Sequence, residues 1–490
     1  MSDYDDLRLL IRSQVPILVA ETWDENGALQ MLTRAAIQES LPLFCWSVVA
    51  GLNRLGFGEG VDATQTTEPA EALKRIAAHT EPALFALCDL HPFLDDPRLL
   101  RQLKEIALQY NKVGHTLVLL SHCFDIPPEI QRLSAKVAFS LPDEREIMTI
   151  VRDEARQWQQ QHQGQRVRTD HGTLTQLTRH LRGLTHADAR RLIRAAIVQD
   201  GTITESDFAE LNRAKFELMN LDGVLSFEYR TEQFEQVAGV DRLRAWLQQR
   251  REAMFAPTSA DRPRGVMLLG VQGAGKSLTA RAVAGAWQCP LLRLDMGALY
   301  NKFIGETERN LRESLRSATL MAPCVLWIDE IEKGLGNRDS DEGTSQRVLG
   351  SLLTWMAEQQ AGVFVVATAN DISRLPPELL RKGRFDELFF VDLPDDHVRQ
   401  QIFAIHINKR AHSADAFDLA SLSEAADGFS GAEIEQVVVS ALYRAAAEQS
   451  GLDHMHLLAE IAATVPLSVT MAEPMMALRN WAEGRAVPVH

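Results

Sequence analysis

Eight consecutive residues, Gly270-Val271-Gln272-Gly273-Ala274-Gly275-Lys276-Ser277, constrain this chain more than any other feature. They fit the pattern G-x-x-x-x-G-K-[ST], which a chain of this length and average composition would contain by chance with a probability of about 0.02. The apolar run Val266-Met267-Leu268-Leu269 precedes them and reads as a buried strand. The alanine-rich run from Leu278 to Trp287 follows and reads as a helix, so the octet is expected to be the turn between the two. In that setting glycines let backbone N–H groups wrap a phosphate, and the helix N-terminus adds favourable partial charge. Lys276 is placed to reach β- and γ-phosphates and Ser277 to hold Mg2+, with Leu278 closing the cofactor-contacting stretch.

Downstream, Cys324-Val325-Leu326-Trp327-Ile328 runs directly into Asp329-Glu330. Adjacent carboxylates at the end of a buried strand are costly unless something positive sits there. Asp329 fits a partner for the magnesium ion, and Glu330 a group that orients the attacking water. A further apolar strand, Val363 to Ala369, ends at Asn370, whose amide can help place that water or sense the γ-phosphate. Arg381 and Arg384 fall in Leu-Leu-Arg-Lys-Gly-Arg-Phe-Asp. Two fixed-charge forks suit the spreading charge of phosphoryl transfer, although their residue types alone read as surface arginines.

Strand-like runs alternate with helical patterns along the whole chain, which indicates α/β domains with parallel sheets. The plan occurs twice. Residues 363–396 contain a strand, Pro-Pro-Glu and a second strand closing on Leu-Pro-Asp; residues 116–143 contain the same series. PALFALCDLH (82–91) mirrors PCVLWIDEIE (323–332), and the turn Gly183 to Asp188 mirrors Gly428 to Glu433. Only the second copy is armed. After Ile17-Leu18-Val19-Ala20 the first copy continues Glu21-Thr22-Trp23-Asp24 in place of a glycine-lysine loop, and Leu90 is expected where the second carboxylate should be. The first copy is expected to bind no nucleotide productively and to serve docking or assembly.

Composition narrows the function classes. Lysine and arginine number 51 against 66 aspartates and glutamates, a net charge of −15 that disfavours nonspecific coating of nucleic acid or anionic membrane. The five scattered cysteines, with no C-x-x-C pair, read as buried thiols of a reducing compartment. The acidic N-terminus lacks the pattern of a signal peptide, and no apolar run approaches the ~20 residues of a membrane span. No membrane association is expected, and the location is expected to be the cytoplasm or the equivalent compartment of an organelle.

From Phe234 to Ala445 these motifs closely resemble the AAA+ ATPases, in particular the AAA family proper. The resemblance implies a P-loop AAA+ module, a parallel α/β sheet flanked by helices plus a small helical lid, preceded by a degenerate AAA/RecA-like α/β domain. The expected organisation is residues 1–200 for the degenerate domain, 201–230 for a helix and linker, 231–395 for the large subdomain, and 396–490 for the lid and tail. By the same resemblance, ATP and Mg2+ are the cofactors. Val237 and Gly239 lie near the base, His406 near the ribose and adenine, and Gly431-Ala432 where the lid closes. Arg381 and Arg384 would act across a subunit boundary, which implies a homo-oligomeric ring, usually a hexamer. Lys302-Phe303-Ile304 resembles the first pore loop, with Phe303 as the gripping aromatic, and Asp339 to Gln346 fits a second loop. The degenerate N-terminal half and the tail, Thr464 to Met471 and Trp481 to Ala486, are most similar to the AAA branch named for a hypothetical chloroplast reading frame of algal plastids and bacteria, which extends the expected location to the plastid stroma. Two departures from the family pattern are Thr368-Ala369, in reversed order, and Lys382 in place of a proline.

A hexameric motor that remodels or threads an unknown protein is the leading functional expectation. No His-Glu-x-x-His occurs, which excludes a fused zinc protease. Residues 151–197 carry nine arginines against four acids, a patch that keeps a nucleic-acid translocase as the alternative. A nucleotide-gated assembly scaffold is the third reading.

Overall fold

A computed structural model describes residues 3–490 apart from 56–65, 123, 140, 199, 220–223, 230, 257–260, 300–305, 336–341, 359–361, 382 and 411. The chain forms two compact units, Met1–Val167 with Gly183–Asp200, and Arg168–Arg182 with Gly201–His490.

The first unit is built on six strands: β1 (Ile17–Glu21), β2 (Leu43–Ser47), β3 (Gly51–Arg54), β4 (Leu84–Cys88), β5 (Thr116–Ser121) and β6 (Ser134–Ala138). They lie in the order β3-β2-β4-β5-β1-β6, parallel except for the β2–β3 hairpin. The central strands are continuous apolar runs because helices cover both faces of the sheet; every residue of β4 and β5 is buried.

Seven strands form the sheet of the second unit: β7 (Leu225–Glu228), β8 (Gly265–Gly270), β9 (Leu291–Asp295), β10 (Cys324–Asp329), β11 (Val363–Ala369), β12 (Glu387–Val391) and β13 (Val487–Pro488). Their order is β13-β12-β8-β11-β10-β9-β7, with only β7 antiparallel. Counting from the first core strand, β12-β8-β11-β10-β9 repeats β6-β1-β5-β4-β2. The repeated motifs therefore reflect a repeated topology.

The first unit puts a different group where its sister carries the phosphate loop. After β1, Asp24 caps the helix Glu25–Gln38 by accepting from the Gly27 N–H at 2.9 Å. Its other carboxylate oxygen accepts from the backbone N–H of His186 at 3.3 Å and meets His186 Nδ1 at 3.1 Å. A carboxylate thus occupies the helix N-terminus. The expectation for Leu90 needs correction. Asp89 and Glu330 are the two residues just after β4 and β10, and both adopt left-handed backbone, with φ of 52° and 48°. Leu90 and Ile331 both point into the cores. Asp89 is therefore the counterpart of Glu330, and Cys88 stands where Asp329 does.

The arginine-rich stretch is partly consumed by packing. Arg190 and Arg194, from the helix His186–Val198, both pair with Glu154 of the helix Glu144–Gln161, at 3.3 and 2.8 Å. Glu154 is 3% exposed, so it needs those partners. Residues 168–182 lie ahead of position 200 yet pack in the second unit. There Lys215, fully buried, donates to the carbonyls of His180, Arg182 and Leu320. Burial pulls its ammonium down to about 7. Among the described residues no single helix is long and apolar enough to cross a membrane; one bent pair, His454–Thr470 with Ala472–Ala482, meets that test by length and composition.

The Asp24–His186 pair gives the first unit a pH dependence. Its hydrogen bond is the main cause that raises His186 above its ordinary 6.5 and lowers Asp24 below 3.8. The histidine's contribution is complete below 6.5 and fades as pH rises through the raised value; the aspartate's is complete above 3.8 and fades as pH falls through the lowered one. Thermal unfolding of His186→Ala should therefore lie further below wild type at about pH 5.5 than at about pH 8.5. An equal deficit at both would remove the pair from the account.

Candidate nucleotide site

A cavity of about 840 Å3 opens at the C-terminal ends of β8, β10, β11 and β12 in the second unit, a volume in the range of small-molecule and cofactor pockets. Residues 272–279 of the phosphate loop and its helix line it, together with Val237–Val240, Asp329, Glu330, Asn370, His406, Gly431 and Ala432. The loop leaves β8 at Gly270, where a Cβ would lie 2.0 Å from the Val391 carbonyl oxygen of neighbouring β12. No larger residue fits between those strands. Gly275 precedes the helix Lys276–Trp287 with φ of +92°, a conformation that costs glycine little. Lys276 is 6% exposed and folds back to donate to the carbonyls of Gly270 and Val271 at 2.8 and 2.6 Å. Burial pulls its ammonium down to about 8, against the opposing pull of Glu332, Asp329 and Glu330.

The carboxylates are organised by strand register. Ile328 lies opposite Ala367 across β10 and β11, which brings Thr368 beside Asp329. The Thr368 hydroxyl donates to Asp329 at 2.8 Å and accepts from the Glu330 N–H at 3.0 Å. The reversed order Thr368-Ala369 thus supplies a bridge between the two acids. Asp329 also accepts from Arg293 at 3.2 Å, and Arg293 lies over the Trp327 ring at 4.9 Å. Glu330 accepts from the Asn370 side chain at 3.0 Å and pairs with Lys333. The Asn370 N–H donates to Glu332 at 2.9 Å. Burial pushes the Glu332 carboxyl above its usual range. Ser277 and Asp329 line the same cavity, and a hydroxyl with a carboxylate is an oxygen donor set that fits Mg2+.

A second wall comes from the helical part. Ser430 caps the helix Gly431–Ala447 through a capping box with Glu433, and the Ala432 N–H donates to the Gly273 carbonyl of the loop at 3.1 Å. His406 is held between Arg410, at 3.3 Å, and Glu435, at 3.4 Å, and burial lowers its pKa. Val237 and Gly239 join the wall, with Gly239 against Val398.

Arg381 and Arg384 are not among the lining residues. Arg381 is exposed, and Arg384 donates to the Leu353 carbonyl at 2.9 Å. Lys302, Phe303, Ile304, Lys382 and residues 339–341 lie outside the described residues. Arg293, Glu332 and Lys333 escaped the sequence reading, and Thr368 entered it only as a reversed residue. The contacts of Arg293 and Thr368 depend on which residues face one another across β9, β10 and β11, while Lys333 meets Glu330 within one turn; a linear motif carries no such information.

Comparison with known proteins agrees with this geometry. The model of the "ATPase family associated with various cellular activities (AAA)" matches residues 266–393 and that of the "AAA+ lid domain" residues 416–458. The N-terminal and second domains of the "SpoVK-like AAA ATPase" match residues 3–139 and 145–222. The AAA domain-containing protein ycf46 of Trieres chinensis is 35% identical over 98% of this chain and 96% of its own length. The corresponding protein of Pyropia yezoensis is 34% identical over 99% of both chains. The proteasome-activating nucleotidase of Aeropyrum pernix is 39% identical over 39% of this chain and 48% of its own length.

The lowered Lys276 ammonium generates a prediction. A bound polyphosphate favours its charged form, so binding MgADP at pH 8 should take up about half a proton per site. Calorimetric enthalpies in buffers of different ionisation heat read this uptake directly. Lys276→Met should lose the uptake and most of the affinity; uptake that survives the substitution would assign it to another group.

Proposed function

The chain belongs to the AAA ATPase family, and from that premise we propose that it works as a homohexameric ring that couples ATP hydrolysis to remodelling or threading of a protein. One observation carries the chemical part of the reading: a single cavity holds the glycine loop, the Asp329–Glu330–Asn370 constellation and the N-terminus of the lid helix. Lys276 and the loop N–H groups bind the phosphates. Glu330, steadied by Asn370, orients and deprotonates the attacking water as the γ-phosphoryl group leaves ADP. Ser277 and Asp329 would hold Mg2+, which neutralises charge on the phosphate oxygens. The base lies against Val237, Gly239 and His406.

Arg381 and Arg384 complete the neighbour's site, a role supported by their position outside the cavity of their own chain. Substrate engagement falls to Lys302, Phe303 and Ile304, on the resemblance of this loop to a pore loop. A protein substrate is favoured over nucleic acid because the net charge of −15 opposes a phosphate backbone, and two of the nine clustered arginines, Arg190 and Arg194, already serve Glu154. The likeness to a proteasome-activating nucleotidase points the same way. Among the first unit's residues, Asp24 at the helix N-terminus repels phosphate, which leaves docking or assembly as that unit's work. Cytoplasm or plastid stroma is the proposed location.

Hydrolysis per subunit should climb with protein concentration to a plateau, and Arg384→Ala should lower the plateau by about 10³-fold. Arg384→Ala and Glu330→Gln subunits, each inactive alone, should recover hydrolysis when mixed, because an intact Arg384 then completes the site of an Arg384→Ala neighbour. No recovery on mixing contradicts completion of sites between subunits. Glu330→Gln should retain ATP binding while kcat falls about 10²–10⁴-fold. Phe303→Ala should keep ATPase activity and lose substrate processing; unimpaired processing would favour the assembly scaffold.

A further inference from the structure

The residues after the lid return to the nucleotide cavity. Beyond the helix Ala472–Ala482 the chain forms β13, which adds to the sheet edge beside β12, with Val487 opposite Phe389 and Pro488 opposite Phe390. The next residue ties two walls of the cavity together. The Val489 N–H donates to the Phe390 carbonyl at 3.2 Å, and the Val489 carbonyl accepts from the Arg242 N–H at 3.0 Å. That second bond matters because the helix Asp241–Phe255 starts at Val240, whose side chain offers no cap. The backbone of Val489 performs the capping, and its side chain, 2% exposed, joins the apolar cluster that also holds Val240, Leu243, Phe389 and Val391. Arg479 fastens the preceding helix to Asp392 through contacts of 2.8 to 3.0 Å. Asp392 follows directly on β12, at the point where the sheet gives way to the lid.

Val489 and His490 both line the nucleotide cavity, on the side of Val237–Val240, Val391 and Val398. This side is apolar and remote in sequence from the phosphate loop, as a slot for a purine ring should be. The matched family regions end at residue 458, so none of them includes this segment. We propose that Val487–His490 forms the base-side wall of the nucleotide pocket, with Val489 as the positioning residue and His490 as a direct contact to the base. Docking of the segment and nucleotide binding then strengthen each other, because each favours the arrangement of helix Asp241–Phe255 that the other needs. Loss of the segment should weaken ATP and ADP alike, since the base and ribose are common to both.

The inference rests on the reading of the cavity as the ATP site, and the experiment separates the two. Full-length protein, the deletion of Val487–His490 and His490→Ala are titrated with a fluorescent ADP, alongside thermal unfolding without nucleotide and steady-state kinetics. Deletion should raise Kd and the KM for ATP about tenfold and His490→Ala about threefold, with kcat at saturation retained. A purely structural segment would lower the unfolding temperature and leave Kd and KM of the folded protein unchanged, which overturns the proposal. Should the deletion fail to fold, hydrogen exchange of the wild type decides. The Arg242 and Val489 amides should slow on adding MgADP, and equal rates with and without it contradict the coupling. Wild-type protein that binds no ADP refutes the site itself; wild type that binds, with a tail that does not respond, refutes only this inference.

Discussion

The contact between the lid helix and the phosphate loop, Ala432 N–H to Gly273 carbonyl, is the interaction on which the site depends. It joins a helical subdomain to the turn that grips phosphates, so occupancy of the loop bears directly on lid position. Its geometry follows from the sheet. With β8 between its parallel neighbours β11 and β12, the loop emerges inside the sheet, and Asp329 of β10, Asn370 after β11 and Val391 of β12 are delivered to its rim. The absence of a Cβ at Gly270 lets β12 pass close enough to bring Asp392 and Pro394 to the same rim.

The two units test the same frame with different chemistry. Both carry the strand order of the ATPase core, and both have a left-handed acidic residue just after the equivalent strand, Asp89 or Glu330. They diverge at the turn. Where Gly273 and Gly275 leave backbone N–H groups open to an anion, Asp24 supplies an anion of its own and binds His186. The contact from turn to lid survives, since Gly273 meets Ala432 and Asp24 meets His186 at the matching turns. The first unit carries the Asp24 carboxylate at the turn where the proposed reading seats a phosphate in its sister.

Much of this was legible in the sequence, for a physical reason. Glycine-rich phosphate turns and carboxylates at strand ends need particular residue types at short spacing, so Gly270–Ser277, Asp329-Glu330 and Asn370 stand out without a structure. The repeat was legible through its buried strands and Leu-Pro-Asp ends. What was not legible depends on register and on chain segments far apart in sequence. Thr368 read as a minor reversal and is instead the bridge between two acids. Leu90 was assigned one position away, although the matched stretches 82–91 and 323–332, laid end to end, already set Asp89 against Glu330, as the shared left-handed backbone bears out. The arginine cluster kept a nucleic-acid alternative open, and the pairing of two of its nine members with Glu154 on another helix could not be read from its composition. Similarly, Trp481 to Ala486 marked a family resemblance, and nothing in the sequence reveals that the residues just after them return to the cavity.

The central claim is a chain with two ATPase-like frames and one working nucleotide site. Calorimetric titration of MgADP into the full chain measures it most directly, as nucleotides bound per subunit at saturation. The account predicts one nucleotide per chain, with that binding lost on Lys276→Met and unaffected by Asp24→Asn. Two nucleotides per chain, or one that survives Lys276→Met, would contradict it.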